Sequence, residues 1–133
     1  MRGYLLFLLA LAPHVHGQQI ECPKFYPSED TVLTEVPYRH QGKGLVAKAR
    51  LRGASTFLGE FNGRTELRGL RKDVKGGFDV HHGFSPGDPK WLVCTYGAGD
   101  ISWWEQLDSK FTNCRLSVRE SGDNPLDIRM TCR

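Results

Sequence analysis

Apolar and polar residues alternate with period two through most of the second half of the chain. Phe78, Val80, His82 and Phe84 share one face of a first segment, which the turn residues SPGDP then close. A second alternating segment runs from Trp91 to Tyr96. The turn GAGD leads to a third, Ile101 to Leu107; after DSK, Thr112 to Arg119 alternates again, and after SGDNP so does Leu126 to Cys132. Alternation bounded by Gly, Pro, Asn and Asp marks half-buried antiparallel strands. Connections this short predict hairpins, so the five segments form a C-terminal meander.

The registers support one another. With Tyr96 opposite Ile101, Cys94 faces Trp103, Val93 faces Trp104, Leu92 faces Glu105 and Trp91 faces Gln106. With Phe78 opposite Tyr96, Val80 faces Cys94. In the last hairpin Leu116 faces Met130, Val118 faces Ile128 and Cys114 faces Cys132. Directly opposed residues lie on the same side of a sheet. One face therefore gathers Phe78, Val80, Leu92, Cys94, Tyr96, Ile101, Trp103, Leu116, Val118, Ile128 and Met130 as a core. A slip of one residue would turn that whole set to solvent.

The first half is less regular. Thr31 to Val36 and Leu45 to Leu51 read as strands, and a further strand around Ser55 to Phe61 ends at the turn signal Asn62-Gly63. Thr65 to Leu70 fits one short helical turn, and Lys72 to Gly77 a polar loop. Seven or eight strands make the fold all-β with a minor helix allowed: a small, disulfide-stapled antiparallel sandwich or barrel.

The first seventeen residues, MRGYLLFLLALAPHVHG, bear on where this domain works. Arg2 precedes an apolar run and a small-residue site ahead of Gln18, the layout of a secretory signal peptide. About nine strongly apolar residues are too few to span a bilayer, and no later segment is apolar enough to be a transmembrane span. Residues 18–133 then form a single exported β domain, periplasmic or extracellular. All four cysteines, Cys22, Cys94, Cys114 and Cys132, lie in it, and an even count in an exported small domain reads as two disulfides. Cys114–Cys132 suits the last hairpin and leaves Cys22–Cys94. The competing pairing is Cys22–Cys132 with Cys94–Cys114. In the meander the latter two sit on strands two apart, about 9–10 Å, which is beyond disulfide reach.

Candidate chemistry is sparse. The formal charge of +3 gives no reason to expect nucleic acid, and no nucleic-acid module is recognisable. No nucleophile elbow, H-E-x-x-H or phosphate loop is present. In FDVHHGF, successive strand residues point to opposite faces, so His81 and His82 cannot share a metal; His82 faces the core and His81 faces out. No metal, cofactor or catalytic residue is therefore expected. What remains is surface. Opposite the core lie Trp91, Val93, Trp104 and Gln106. These are either covered by a layer from the first half or left as a recognition patch, since tryptophan is enriched at binding hot spots. The last hairpin turns Arg115, Arg119, Arg129 and Arg133 outward, as a solvated basic face or as an attraction to an acidic partner or anionic envelope polymer. Together Trp91, Val93, Trp104, Gln106, Arg115, Arg119 and Arg129 make up the expected binding face.

A cysteine-proline pair opens the domain (IECPKF), and a W-L-V-C-x-Y strand follows the loop RKDVKGG. A third cysteine closes ISWWEQLDSKFTNC and a fourth closes IRMTC. In these features the chain resembles a family of small exported, four-cysteine proteobacterial proteins, some of them encoded in type VI secretion islands. The resemblance spans most of residues 18–133 and is strongest from Trp91 to Cys132. It implies two disulfides and brings no catalytic residues. Its setting implies a periplasmic immunity or inhibitor protein, non-enzymatic, that neutralises an effector toxin or lytic enzyme. From the residues alone, the alternative is a glycan- or envelope-binding module that stacks sugars on Trp91 and Trp104.

Overall fold

The computed structural model describes residues 17–27, 38–39 and 48–133, all as strands, turns and loops with no helix. Nine strands are present among them: β1 (Gln18–Glu21), β2 (Leu51–Leu58), β3 (Thr65–Leu67), β4 (Leu70–Val74), β5 (Gly77–Gly83), β6 (Lys90–Tyr96), β7 (Ile101–Leu107), β8 (Asn113–Ser121) and β9 (Asn124–Cys132). They form two antiparallel sheets, a five-stranded one in the order β1-β9-β8-β5-β4 and a four-stranded one in the order β3-β2-β6-β7. The sheets pack face to face as an open sandwich, not a closed barrel.

Two hairpins follow the sequence register residue for residue. In β6–β7, Tyr96 pairs with Ile101, Cys94 with Trp103 and Trp91 with Gln106. In β8–β9, Leu116 pairs with Met130, Val118 with Ile128 and Cys114 with Cys132. The continuous meander does not form. β5 pairs with β8, placing Phe78 opposite Val118 and Val80 opposite Leu116, while β6 pairs with β2. The connections β5–β6 and β7–β8 both cross from one sheet to the other. Phe84 N–H donates to Thr112 O (2.8 Å) and Gly87 N–H to Ser109 O (3.0 Å), so the two crossings are bonded side by side. Lys90 ties them further: its Nζ donates to Asp88 O and Ser109 O at 3.2 and 3.0 Å.

The first half needs three corrections. In place of a strand over Ser55–Phe61, β2 runs from Leu51 to Leu58, and of the strand expected at Leu45–Leu51 the described residues 48–50 precede it; residues 45–47, like the expected strand Thr31–Val36 and residues 1–16, lie outside the described residues. Thr65–Leu70 is not a helical turn but the edge strand β3 and the start of β4. Lys72–Gly77 is not a loop: β4 and β5 meet in a tight hairpin in which Val74 pairs with Gly77. Gly76 turns it with φ of 77°, a conformation costly for residues with a Cβ. At Gly77 a Cβ would collide with the Val118 carbonyl of β8.

The core lies between the sheets. Ile20, Leu116, Val118, Ile128 and Met130 come from one side and Leu51, Leu92, Tyr96 and Leu107 from the other. Phe78, Val80 and Ile101 pack against it, partly buried. Trp103 does not join it. It remains 37% exposed, because β7 is the edge strand of its sheet. The disulfides are Cys22–Cys94 and Cys114–Cys132, with Cα–Cα distances of 5.9 and 4.1 Å. The first joins the sheets; the second joins neighbouring strands of one sheet. Inside, Tyr96 Oη donates to Pro23 O at 2.7 Å, and burial pushes its pKa up to about 12.

Candidate functional site

The outer surface of the four-stranded sheet is aromatic. β6 turns Trp91 and Val93 outward, β7 turns Trp104 outward, and Val93 and Trp104 are directly paired. β2 runs along the other side of β6 with Phe57 opposite Trp91. Beyond β2, the turn Glu60–Gly63 closes with Gly63 N–H donating to Glu60 O, and Asn62 sits at φ of 58°. This turn folds Phe61 back over the sheet. Phe61 meets Trp91 at 5.8 Å and Trp104 at 5.6 Å between ring centroids. Trp104 also meets Phe57 at 5.0 Å and Trp91 at 6.1 Å.

The cluster is braced rather than loose. Trp91 Nε1 donates to Gly59 O at 2.9 Å, and Gly59 N–H donates to Pro89 O at 2.9 Å, so the turn bearing Phe61 is pinned at its base. Trp104 Nε1 donates to Ser102 Oγ at 3.0 Å. Val93 is buried beneath the rings while Phe61 remains 66% exposed. Glu60, Glu66 and Gln106 are exposed at the margin. The two tryptophans are thus flanked by Phe57 and Phe61 from the first half, and among the described residues no further layer seals them.

The arginines lie elsewhere. Arg115, Arg119 and Arg129 project from the outer surface of the five-stranded sheet, on the opposite side of the sandwich from Trp91 and Trp104, so the expected single binding face is two faces. On the basic side, Arg119 Nη2 meets Asp79 Oδ1 at 2.7 Å. That hydrogen bond is the main cause of a lowered Asp79 pKa, opposed by burial and helped by Ser117. Arg129 meets Asp127 at 3.2 Å and Glu21 at 3.9 Å. Arg115 and Arg133 are in no ion pair among the described residues.

His81 is exposed and His82 buried, on opposite faces of β5. Burial lowers the His82 pKa against a backbone hydrogen bond at Leu67, and His81 pushes the same way. His82 and Thr56 border a cavity of about 250 Å³ between the sheets. His82 Nδ1 and Thr56 Oγ1 are buried and find no protein hydrogen-bond partner. Among the described residues no group of three or more His, Cys, Asp or Glu is placed to hold a metal, and no helix is long and apolar enough to cross a membrane.

Sequence reasoning missed three residues. Lys90 sits fully buried on the core side of β6, its ammonium 5.0 Å from the Phe84 ring centroid. Its position, one residue before an apolar strand and one after Pro89, gave no sign of burial. Phe57 and Phe61 were legible in principle, because Ser55, Phe57, Gly59 and Phe61 share one phase of the alternation. What was missing was the pairing of β2 with β6. No protein-family model matches this chain, and no curated protein or solved structure matches it significantly.

Proposed function

We propose that this is an exported, non-enzymatic binding protein of the immunity or inhibitor type, and that it engages a protein partner through the aromatic face of the four-stranded sheet. The observation that carries the reading is Phe61, two-thirds exposed on a pinned turn and in edge-on contact with Trp91 and Trp104. Large apolar rings held rigidly at the surface lose little conformational freedom on binding, and such aromatic anchors dominate interface energies. Exposed Glu60, Glu66 and Gln106 supply the polar rim that a protein interface has around its centre. The two disulfides are compatible with an oxidising, exported environment. The periplasm as compartment, and a toxin or lytic enzyme as partner, rest on the resemblance to exported four-cysteine proteins.

Ring geometry argues against a sugar platform. Phe61, Trp91 and Trp104 meet one another at interplanar angles of 62°, 65° and 68°, so they do not offer a flat surface to a pyranose. Both outward-facing indole N–H groups are already used within the protein. The test is a photo-crosslinking amino acid at position 61, with position 72 on the other sheet as control, in cells that make the protein. A discrete adduct with one exported toxin or lytic enzyme from position 61 alone is expected. With that partner in hand, Phe61→Ala or Trp91→Ala should weaken binding roughly 30-fold, the size of a hot-spot loss. Adducts from both positions, or from neither, would overturn the reading. Capture of glycan alone would transfer it to the envelope-binding alternative.

A further inference from the structure

We infer that the outer face of the five-stranded sheet carries a second site, which takes a phosphate monoester or inorganic phosphate between Arg115, Arg133 and His81. It is independent of the aromatic face and lies on the other side of the sandwich.

The strand registers bring these groups together. Leu70 of β4 pairs with His81 of β5, His81 with Arg115 of β8, and Arg115 with Thr131 of β9. All four side chains point outward in one row across the sheet. One step along, Asn113 and Arg133 exchange backbone hydrogen bonds, opposite Gly83 of β5. These residues and Thr112 border a concavity of about 590 Å³, within the usual range for small-molecule sites.

Charge distinguishes this corner from the rest of the basic face. Arg119 and Arg129 are matched by Asp79, Asp127 and Glu21. No Asp or Glu side chain borders the concavity. Asp79, the next outward residue of β5, is paired with Arg119, and Arg115 acts on it only through longer-range charge. Arg115 and Arg133 have no ion-pair partner among the described residues.

Donor number favours phosphate over a single carboxylate. The residues that border the space carry two planar guanidinium forks, an imidazole, two threonine hydroxyls and the Asn113 amide. The Asn113 amide is steadied by a 3.2 Å bond to Thr112 Oγ1. Guanidinium forks match phosphate oxygens bidentately, and a tetrahedral anion can be reached from three strands at once. Leu70, 80% exposed, forms an apolar wall for whatever the phosphate carries. Gly83 keeps the floor low: a Cβ there would meet nothing within 4 Å.

The experiment is an NMR titration of the full domain with inorganic phosphate and with phenyl phosphate, acetate serving as the carboxylate arm. Saturable shifts confined to β5, β8, β9 and the Arg115 Nε–H are expected. Phenyl phosphate should bind more tightly than phosphate, and acetate more weakly than either. Arg115→Gln should weaken binding about tenfold, the effect of losing one charged hydrogen-bonding group. Gly83→Leu should block the site while leaving the net charge unchanged. Shifts that never saturate, acetate binding at least as tightly as phosphate, or wild-type binding by Gly83→Leu would overturn the proposal. Should Gly83→Leu fail to fold, the surface change Arg115→Gln still decides it: unchanged binding refutes the site. Phe61→Ala must bind phosphate normally, so failure here and failure of the aromatic-face reading are separable.

Discussion

His82 shows how one buried residue ties stability to pH. Its ring is 5% exposed, and its pKa lies below the ordinary 6.5 chiefly because burial disfavours the charged imidazolium. The unfolded chain takes up a proton near pH 6.5, whereas the folded chain resists it until lower pH. Below that value the unfolded state binds more protons, so the contribution of this residue is full above pH 6.5. It declines as the pH falls toward the folded pKa and levels off beneath it. Asp79 acts in a separate window, because its folded pKa lies below 3.8; the stability from its bond to Arg119 is present above that value and lost at more acidic pH. Urea unfolding across about pH 7.5 to 5 should therefore show a fall in stability that His82→Gln flattens, at the cost of lower stability at neutral pH. An equally steep fall in the variant would show that some other group is responsible.

Among the elements, the two disulfides do different work. Cys114 and Cys132 join strands that are already paired, across 18 residues of chain. Cys22 and Cys94 join the two sheets across 72 residues. Loop-closure entropy alone gives about 3 kcal/mol for the shorter loop and about 4 kcal/mol for the longer. Paired serine substitutions at Cys22 and Cys94 should thus lower unfolding free energy more than those at Cys114 and Cys132, and chemical denaturation of both variants measures it. The opposite ranking would mean that the sheets are held mainly by their apolar faces. The same elements explain what could be read from sequence. The β6–β7 and β8–β9 registers were legible because each has a turn signal between alternating strands, and one-residue slips would expose Leu92, Leu116 or Ile128. The order of hairpins was not. Residues 84–89 and 108–112 are as short as hairpin loops yet cross between sheets, and alternation reads the same whichever sheet a strand joins. β4 was invisible because Leu70, Arg71, Lys72 and Asp73 are all exposed, which leaves no buried face to set a period. The tryptophans of the aromatic face were placed correctly on the side opposite the core. Phe57 and Phe61 were not linked to them, because the pairing of β2 with β6 spans a long stretch of chain with no local signal.

At the scale of the whole molecule, the sandwich separates two kinds of surface. The core sheets lie about 10 Å apart in such a fold, so groups on the two outer surfaces share no neighbours and act independently. All three tryptophans belong to β6 and β7, Trp91 and Trp104 on the outer side of the four-stranded sheet and Trp103 on its inner side, so intrinsic fluorescence reports on that sheet and not on the five-stranded one. Phe61 lies against Trp91 and Trp104, and removing it should open both to solvent. Phe61→Ala is expected to shift emission to the red and raise acrylamide quenching. Its stability cost should be about 1 kcal/mol, as two edge-on ring contacts are lost from a largely exposed position. Arg115→Gln and Gly83→Leu, on the far side, should leave emission and quenching at the wild-type values. If Phe61→Ala leaves quenching unchanged, the ring does not shield the indoles in solution. If the far-side variants alter it, the surfaces are coupled through the core. The first result would remove the anchor from the proposed partner face; the second would mean that a ligand at Arg115 could regulate that face across the sheets.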